Sequence, residues 1–170
     1  LRDAQKAAVV HGGGVNHLRS DGTIDIIDTE DGLTHNEVSA IFRDSMARVW
    51  VGTSEGLSRI EEDGSVTKFS QVEGFTTSSV FTVYEDSKNR IWVGSVKGLY
   101  LYRAGKFIHF TVRSGLFDDK VYTILEDDQG YFWMSCNKGV SRVAVSELLE
   151  LADGLRMSIT YTSFGTEDGM

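Results

Sequence analysis

The stretch Arg48–Leu57, RVWVGTSEGL, returns as RIWVGSVKGL at Arg90–Leu99 and, altered, as YFWMSCNKGV at Tyr131–Val140. Each copy reads as a strand, a tight Gly-containing turn and the start of a second strand. Outward from this stretch, independent features keep one register. Trp50, Trp92 and Trp133 lie 42 and 41 residues apart, and Asp44, Asp86 and Asp127 repeat both spacings. The pairs Gly56-Leu57, Gly98-Leu99 and Gly139-Val140 follow them, as do Gly32-Leu33, Gly74-Phe75 and Gly115-Leu116, and Val38, Val80 and Val121. One further step back places HGGGVNHL, His11–Leu18, on TSEGLSRI, Thr53–Ile60, a degenerate fourth copy with Ala8 at the Trp position.

Within one unit, VSAIFRD (Val38–Asp44) and VYTILED (Val121–Asp127) alternate and are rich in β-branched and aromatic residues, the mark of a strand. The turns DSMAR, DSKNR and DDQGY follow, with Ala47, Asn89 or Gly130 at a place that calls for positive φ, so Ala47 is expected to carry some strain. The Trp strand comes next, then GLSRI or GLYLY, then TKFS or KFIHF, with Gly-containing turns between. The unit is a four-stranded meander, strands A to D. Tandem meanders of about 40 to 45 residues define an all-β fold, a β-propeller segment of about four blades, because a single blade cannot bury both faces. The expected blades are residues 1–31 (incomplete, with little inner strand), 32–73, 74–114 and 115–168, with one Trp wedged between neighbouring sheets. The fourth unit is longer. VSELLELADGL is expected to be a short helical insertion near 146–153, capped by Ser146, with Glu147 in its first turn and Gly154 as its stop.

Composition excludes several classes of function. The chain of 170 residues carries a formal net charge of -8 spread in ones, twos and threes, which opposes binding to nucleic acid. Its one cysteine, Cys136, excludes an internal disulfide and a cysteine-based zinc cluster. The opening LRDAQKAAVV does not read as a signal peptide, and no apolar run reaches the roughly 18 residues of a membrane span.

The unit GLTHNEVSAIFRDSMARVWVGTSEGLSRI and its copies from Gly74 and Gly115 resemble the two-component regulator propeller repeat. Its pattern is Gly-Leu, a polar loop, Val, a strand ending in Asp, a turn, Trp-x-Gly-Thr and Gly-Leu. The third unit departs from it, with Ser135 and Cys136 in place of Gly-Thr. The resemblance implies part of the extracytoplasmic, periplasmic sensor of a bacterial receptor, with the remainder of a parent receptor carrying the membrane helix and output domain. The expected function is a non-catalytic module that senses a small molecule or oligosaccharide or mediates interaction, with a propeller-based lyase or a pure protein-interaction scaffold as the alternatives.

In a propeller the D-to-A loops and B-to-C turns share the face around the central channel. The D-to-A loops are THNE (Thr34–Glu37), TTSS (Thr76–Ser79) and FDDK (Phe117–Lys120), and the B-to-C turns are TSEG, SVKG and CNKG. They differ among blades while the frameworks agree, as a recognition surface on a repeated scaffold should. The candidate contacts are His35, Asn36, Glu37, Thr77, Ser78, Asp118, Asp119 and Lys120. The repeated Trp, Asp and Gly residues are expected to be structural. His11, His17, His35 and His109 show no ligand spacing, so neither a metal nor a cofactor is expected. Turn chemistry explains Glu126-Asp127-Asp128 more simply than calcium does, Gly12-Gly13-Gly14 reads as a B-to-C turn, and Cys136 lacks a paired base. His35 with Glu37 is the one local pair an enzyme, such as a propeller lyase, could use. Open blade edges invite self-association or completion by further chain.

Overall fold

The computed structural model describes residues 7–9, 13–19 and 21–165. Among them are fifteen strands and one α-helix, arranged in four antiparallel sheets. The first sheet holds β1 (Ala7–Val9), β2 (Val15–Leu18) and β3 (Ile24–Ile27). The second holds β4 (Val38–Arg43), β5 (Val49–Thr53), β6 (Gly56–Ile60) and β7 (Val66–Phe69). The third runs β8 (Val80–Glu85), β9 (Ile91–Ser95), β10 (Gly98–Arg103) and β11 (Lys106–Phe110). The fourth runs β12 (Thr123–Glu126), β13 (Tyr131–Cys136), β14 (Gly139–Ala144) and β15 (Tyr161–Phe164). Strand order within each sheet follows chain order, and the inner strands β4, β8 and β12 stand beside one another. This is a propeller arc.

The repeated Asp and Trp are one device. Trp50 Nε1 donates to Asp44 Oδ2 at 2.8 Å, Arg48 Nε donates to the same oxygen, and the backbone N–H groups of Met46 and Arg48 fill Oδ1. The carboxylate thereby closes the A-to-B turn and orients the indole in a single step. Asp86, Arg90 and Trp92 repeat it, and Trp133 donates to Asp127 at 2.8 Å with Tyr131 in the Arg position. Ala47, Asn89 and Gly130 all take positive φ, as the turn demands.

Between sheets the indole is sandwiched. Trp50 stacks on Phe69 of its own sheet and meets Tyr102 of the next edge-on at 5.1 Å, while Trp92 meets Phe132 at 5.0 Å. A second repeated contact staples the turns: Ser45 donates its N–H and hydroxyl to the Glu85 carboxylate, and Ser87 does the same to Glu126. The Gly of Trp-x-Gly-Thr serves a close approach. A Cβ on Gly94 would lie 2.6 Å from the Val121 carbonyl just before the next inner strand, and one on Gly52 would lie 2.5 Å from Val80 Cγ1.

Three expectations need correction. Helix α1 spans Val145–Ala152, so Ser146 lies inside it and no side chain caps it; the N-cap position is Ala144, straight off β14. The Val145 N–H is taken instead by the Gly130 carbonyl, which ties the helix start to the A-to-B turn. Glu147 and Gly154 behave as expected: the Glu147 carboxylate accepts the Thr160 N–H and hydroxyl, and Gly154 turns the chain at φ 72. Secondly, β12 starts at Thr123 rather than Val121, because the Val121 N–H is drawn across to the Ser95 carbonyl of the third sheet. Thirdly, Ala7 faces His17 as Trp50 faces Arg59, which makes Ala7 and not Ala8 the counterpart of the Trp. The B-to-C turn of the first sheet is one residue longer than its counterparts, a shift that a fixed period cannot show. The little inner strand expected at the start of residues 1–31 lies outside the described residues.

Candidate functional site: the channel mouth

The D-to-A loops and B-to-C turns do meet, through a Ser–His contact in the second sheet and a Lys–carbonyl bond in the third and fourth. In the second sheet the Ser54 hydroxyl lies 2.9 Å from His35 Nδ1, which also accepts the Glu37 N–H at 3.0 Å. An Nδ1 that accepts keeps the ring proton on Nε2. In the third sheet Lys97 Nζ reaches the Thr76 carbonyl at 3.2 Å. Lys138 makes the corresponding bond to the Phe117 carbonyl at 3.1 Å, lies over the Phe117 ring and sits 3.7 Å from Asp118. Backbone bonds recur beneath this variation, from Ser54 N–H to Glu37 and from Val96 N–H to Ser79. Framework bonds use the main chain and the variable ones use side chains, so loop sequence changes without loss of position.

Most of the candidate residues spend their polar atoms on the loops themselves. Asn36 Oδ1 accepts the Thr29 N–H, and Asp119 Oδ1 accepts the Val112 N–H at the same place in the repeat. Asp118 accepts the Lys120 N–H, and the buried Thr77 hydroxyl donates to the Ser79 carbonyl. Ser78 and Glu37 are exposed at the rim, and the Lys120 side chain is half-buried.

Three residues outside the predicted set belong to the mouth. The ladder between β4 and β5 shifts between Val38 and Ala40, and that between β8 and β9 shifts between Val80 and Thr82. Such a bulge turns one side chain out of the alternation and aims it elsewhere. The residues at this position are Ser39, Phe81 and, just before β12, Tyr122. Ser39 donates to the Val80 carbonyl of the neighbouring sheet. Phe81 and Tyr122 are partly exposed and lie against each other with ring centroids 4.8 Å apart, and the Tyr122 hydroxyl donates to Asn137 of the B-to-C turn. An aromatic ledge with an amide beside it therefore spans the third and fourth sheets. The only sequence signal is position, one residue after each repeated Val, where strand alternation alone does not mark a bulge.

The remaining candidates for chemistry are quiet. Burial pushes the Cys136 thiol up, away from the thiolate a nucleophile needs. Among the described residues no group of three or more His, Cys, Asp and Glu converges as a metal site. A cleft of about 710 Å³ opens between the first and second sheets on the opposite face, by the A-to-B and C-to-D turns, with walls including Val15, Ile27, Ile41 and Ile60. It exists because Ile27 and Ile60 stand where Phe69 and Tyr102 fill the next interface.

The geometry defines a class, the β-propeller segment with a loop-built channel mouth. Residues 74–97 and 115–138 match the model of the two-component regulator propeller family. The chain is similar to the extracellular domain of the hybrid two-component system BT3049 from B. thetaiotaomicron, with 24% identity, a TM-score of 0.76, and coverage of 94% of this chain and 21% of that one. The extracellular domain of BT4673 from the same organism aligns with a TM-score of 0.69 at 14% identity, over 94% of this chain and 23% of that one. A catalytically inactive H270A virginiamycin B lyase from Staphylococcus aureus, solved with quinupristin, aligns with a TM-score of 0.64 at 15% identity, over 91% of this chain and 50% of that one. The chain thus spans about a fifth of the length of the first two. No match is found among curated proteins. Among the described residues no helix is long and apolar enough to cross a membrane.

Proposed function

We propose that this chain is a non-catalytic sensing module from the extracytoplasmic part of a two-component receptor, and that its channel mouth binds a small molecule or oligosaccharide. The observation that carries the reading is the division of labour at the mouth: shared backbone bonds fix the loops while the side chains on them differ from blade to blade. Phe81, Tyr122 and Asn137 supply an aromatic surface with a hydrogen-bonding edge, and Ser78, Glu37 and Lys120 rim it. The repeat type and the fold of the extracellular domains support the receptor setting.

The lyase reading has fold likeness on its side and little else. His35 Nδ1 is occupied by the Glu37 backbone N–H and the Ser54 hydroxyl, contacts that hold the loop in place.

Titration with a panel of neutral and charged oligosaccharides and small ring compounds, followed by calorimetry and NMR, tests the proposal. Binding that Tyr122→Ala and Phe81→Ala weaken by about tenfold or more supports it. Ligand shifts confined to the cleft on the opposite face would sink it.

A further inference from the structure

We propose that the ligand of the mouth is an acidic saccharide: a sugar ring laid on the Phe81–Tyr122 ledge, with its carboxylate or sulfate held by Lys120 and Lys97 and supported by Lys138. The inference rests on the reading of the mouth as a ligand site and adds the charge of what binds there.

Two positions of the repeat change sign around the mouth. Just before the repeated Val stand Glu37, Ser79 and Lys120, and just before the Gly of the B-to-C turn stand Glu55, Lys97 and Lys138. The second sheet thus presents a glutamate at both places, while the third and fourth together present three lysines, in a chain whose net charge is -8. The aromatic ledge lies on the lysine side, since Phe81 belongs to β8 of the third sheet and Tyr122 directly precedes β12 of the fourth. An anionic ligand is drawn to that side of the mouth and repelled by the other, which fixes its orientation as well as its place.

The lysines are placed by the loops that carry them. Lys97 Nζ donates to the Thr76 carbonyl and Lys138 Nζ to the Phe117 carbonyl, at the same point of consecutive repeats. An ammonium has three donors, so the Lys97 head keeps two for a ligand. Lys138 shares its charge with Asp118 at 3.7 Å. Lys120, two residues before Tyr122, is half-buried and forms no ion pair among the described residues. The nearby carboxylates already serve the loop: Asp118 accepts the Lys120 N–H and Asp119 the Val112 N–H.

Donors dominate at the edge of the ledge as well. Asn137 Oδ1 accepts the Tyr122 hydroxyl proton, which leaves the exposed Asn137 side chain both N–H donors of its amide. An aromatic pair bordered by ammonium and amide donors fits a ring that has one apolar face and many acceptor oxygens, and a charged oxygen makes the strongest of those bonds. A saccharide supplies the face and the hydroxyl oxygens, and its carboxylate or sulfate meets the lysines. A flat aromatic acid supplies the face and the charge but no ring hydroxyls for Asn137.

Calorimetric titration of the full chain with three oligosaccharides of equal length tests this: a galacturonate, a sulfated galactan and a neutral galactan, with benzoate as the flat acid. One or both acidic sugars are expected to bind about tenfold or more tighter than the neutral one, and the tighter of the two names the anionic group. Lys120→Ala is expected to bring the acidic sugar down to the affinity of the neutral one, Lys97→Ala to shift it the same way, and Lys120→Arg to keep the preference. Lys88→Ala, an exposed lysine in an A-to-B turn on the opposite face, leaves it unchanged. Phe81→Ala weakens acidic and neutral sugars alike, and circular dichroism checks the fold of each variant. Equal affinity for all three sugars, with the Phe81→Ala loss retained, overturns the acidic inference and leaves the mouth reading standing. A preference that survives Lys120→Ala, or benzoate binding as tightly as the acidic sugars, overturns it in the same way. Failure of every sugar to bind overturns it together with the mouth reading.

Discussion

Trp92 and Trp133 hold the same place in consecutive repeats, and each donates its indole N–H to the matching aspartate. Trp92 is fully buried beneath Phe132 of the fourth sheet, whereas Trp133 is half-buried against Phe164 and Arg142 of its own. The residues around the two indoles differ as well. Gly94 lies under the Val121 carbonyl, and its counterpart is Ser135; Arg90 supports Asp86, and its counterpart is Tyr131; Ser87 donates the staple bonds to Glu126, and its counterpart is Asp128. The difference teaches that each blade forms its Asp–Trp bond by itself, whereas full burial of the indole needs a sheet packed against it.

Breaking this asymmetry is most direct at the indoles. Trp92→Ala empties a closed site between two sheets and is expected to cost about 3–5 kcal/mol, while Trp133→Ala costs clearly less because its surroundings are open. Denaturant melts of the two variants check the order, and equal losses would break the comparison. Next comes the glycine. Gly94→Ser pushes a Cβ against the Val121 carbonyl and is expected to destabilise by about 1–3 kcal/mol, whereas Ser135→Gly changes stability by well under that.

Acid sharpens the comparison at the aspartates. Hydrogen bonds from Arg48 and Trp50 hold the Asp44 carboxyl below its ordinary value despite burial, and the Trp133 and Tyr131 N–H groups do the same for Asp127. A carboxylate depressed on folding contributes stability that is complete above the unfolded value near 3.9 and is lost as pH falls through the folded one. Melting curves from pH 6 downward, a range of about two units above that value, should therefore be flat until about pH 4 and then fall. Asp127→Asn should flatten that acid limb, and Asp44→Asn should flatten it and also lower the plateau, because Asp44 is buried and ion-paired. The smallest effect is expected at the staple, where Glu126→Gln weakens two bonds to the exposed Ser87 for about 0.5–1.5 kcal/mol.

Much of the framework was legible because it is local or periodic. The Asp, the turn and the Trp lie within seven residues, and the left-handed positions at Asn89 and Gly130 follow from turn chemistry. The mouth was half legible. Its loops were placed correctly by topology, yet Asn36 and Asp119 looked like free contact groups, and each instead accepts a backbone N–H seven residues earlier in the chain. Phe81 and Tyr122 went unread because a bulge changes facing without changing residue type.

The sequence by itself determined the period, the four-stranded unit and the Asp–Trp pair, since repetition and short-range hydrogen bonding need no knowledge of distant chain. Only the tertiary structure decided the matching of Ala7 with the Trp position, the helix start at Val145, the Ser–Glu staples and the aromatic ledge. The first two depend on strand register and a turn carbonyl within one folded sheet, and the staples and the ledge on residues about forty positions apart that meet only when neighbouring sheets pack.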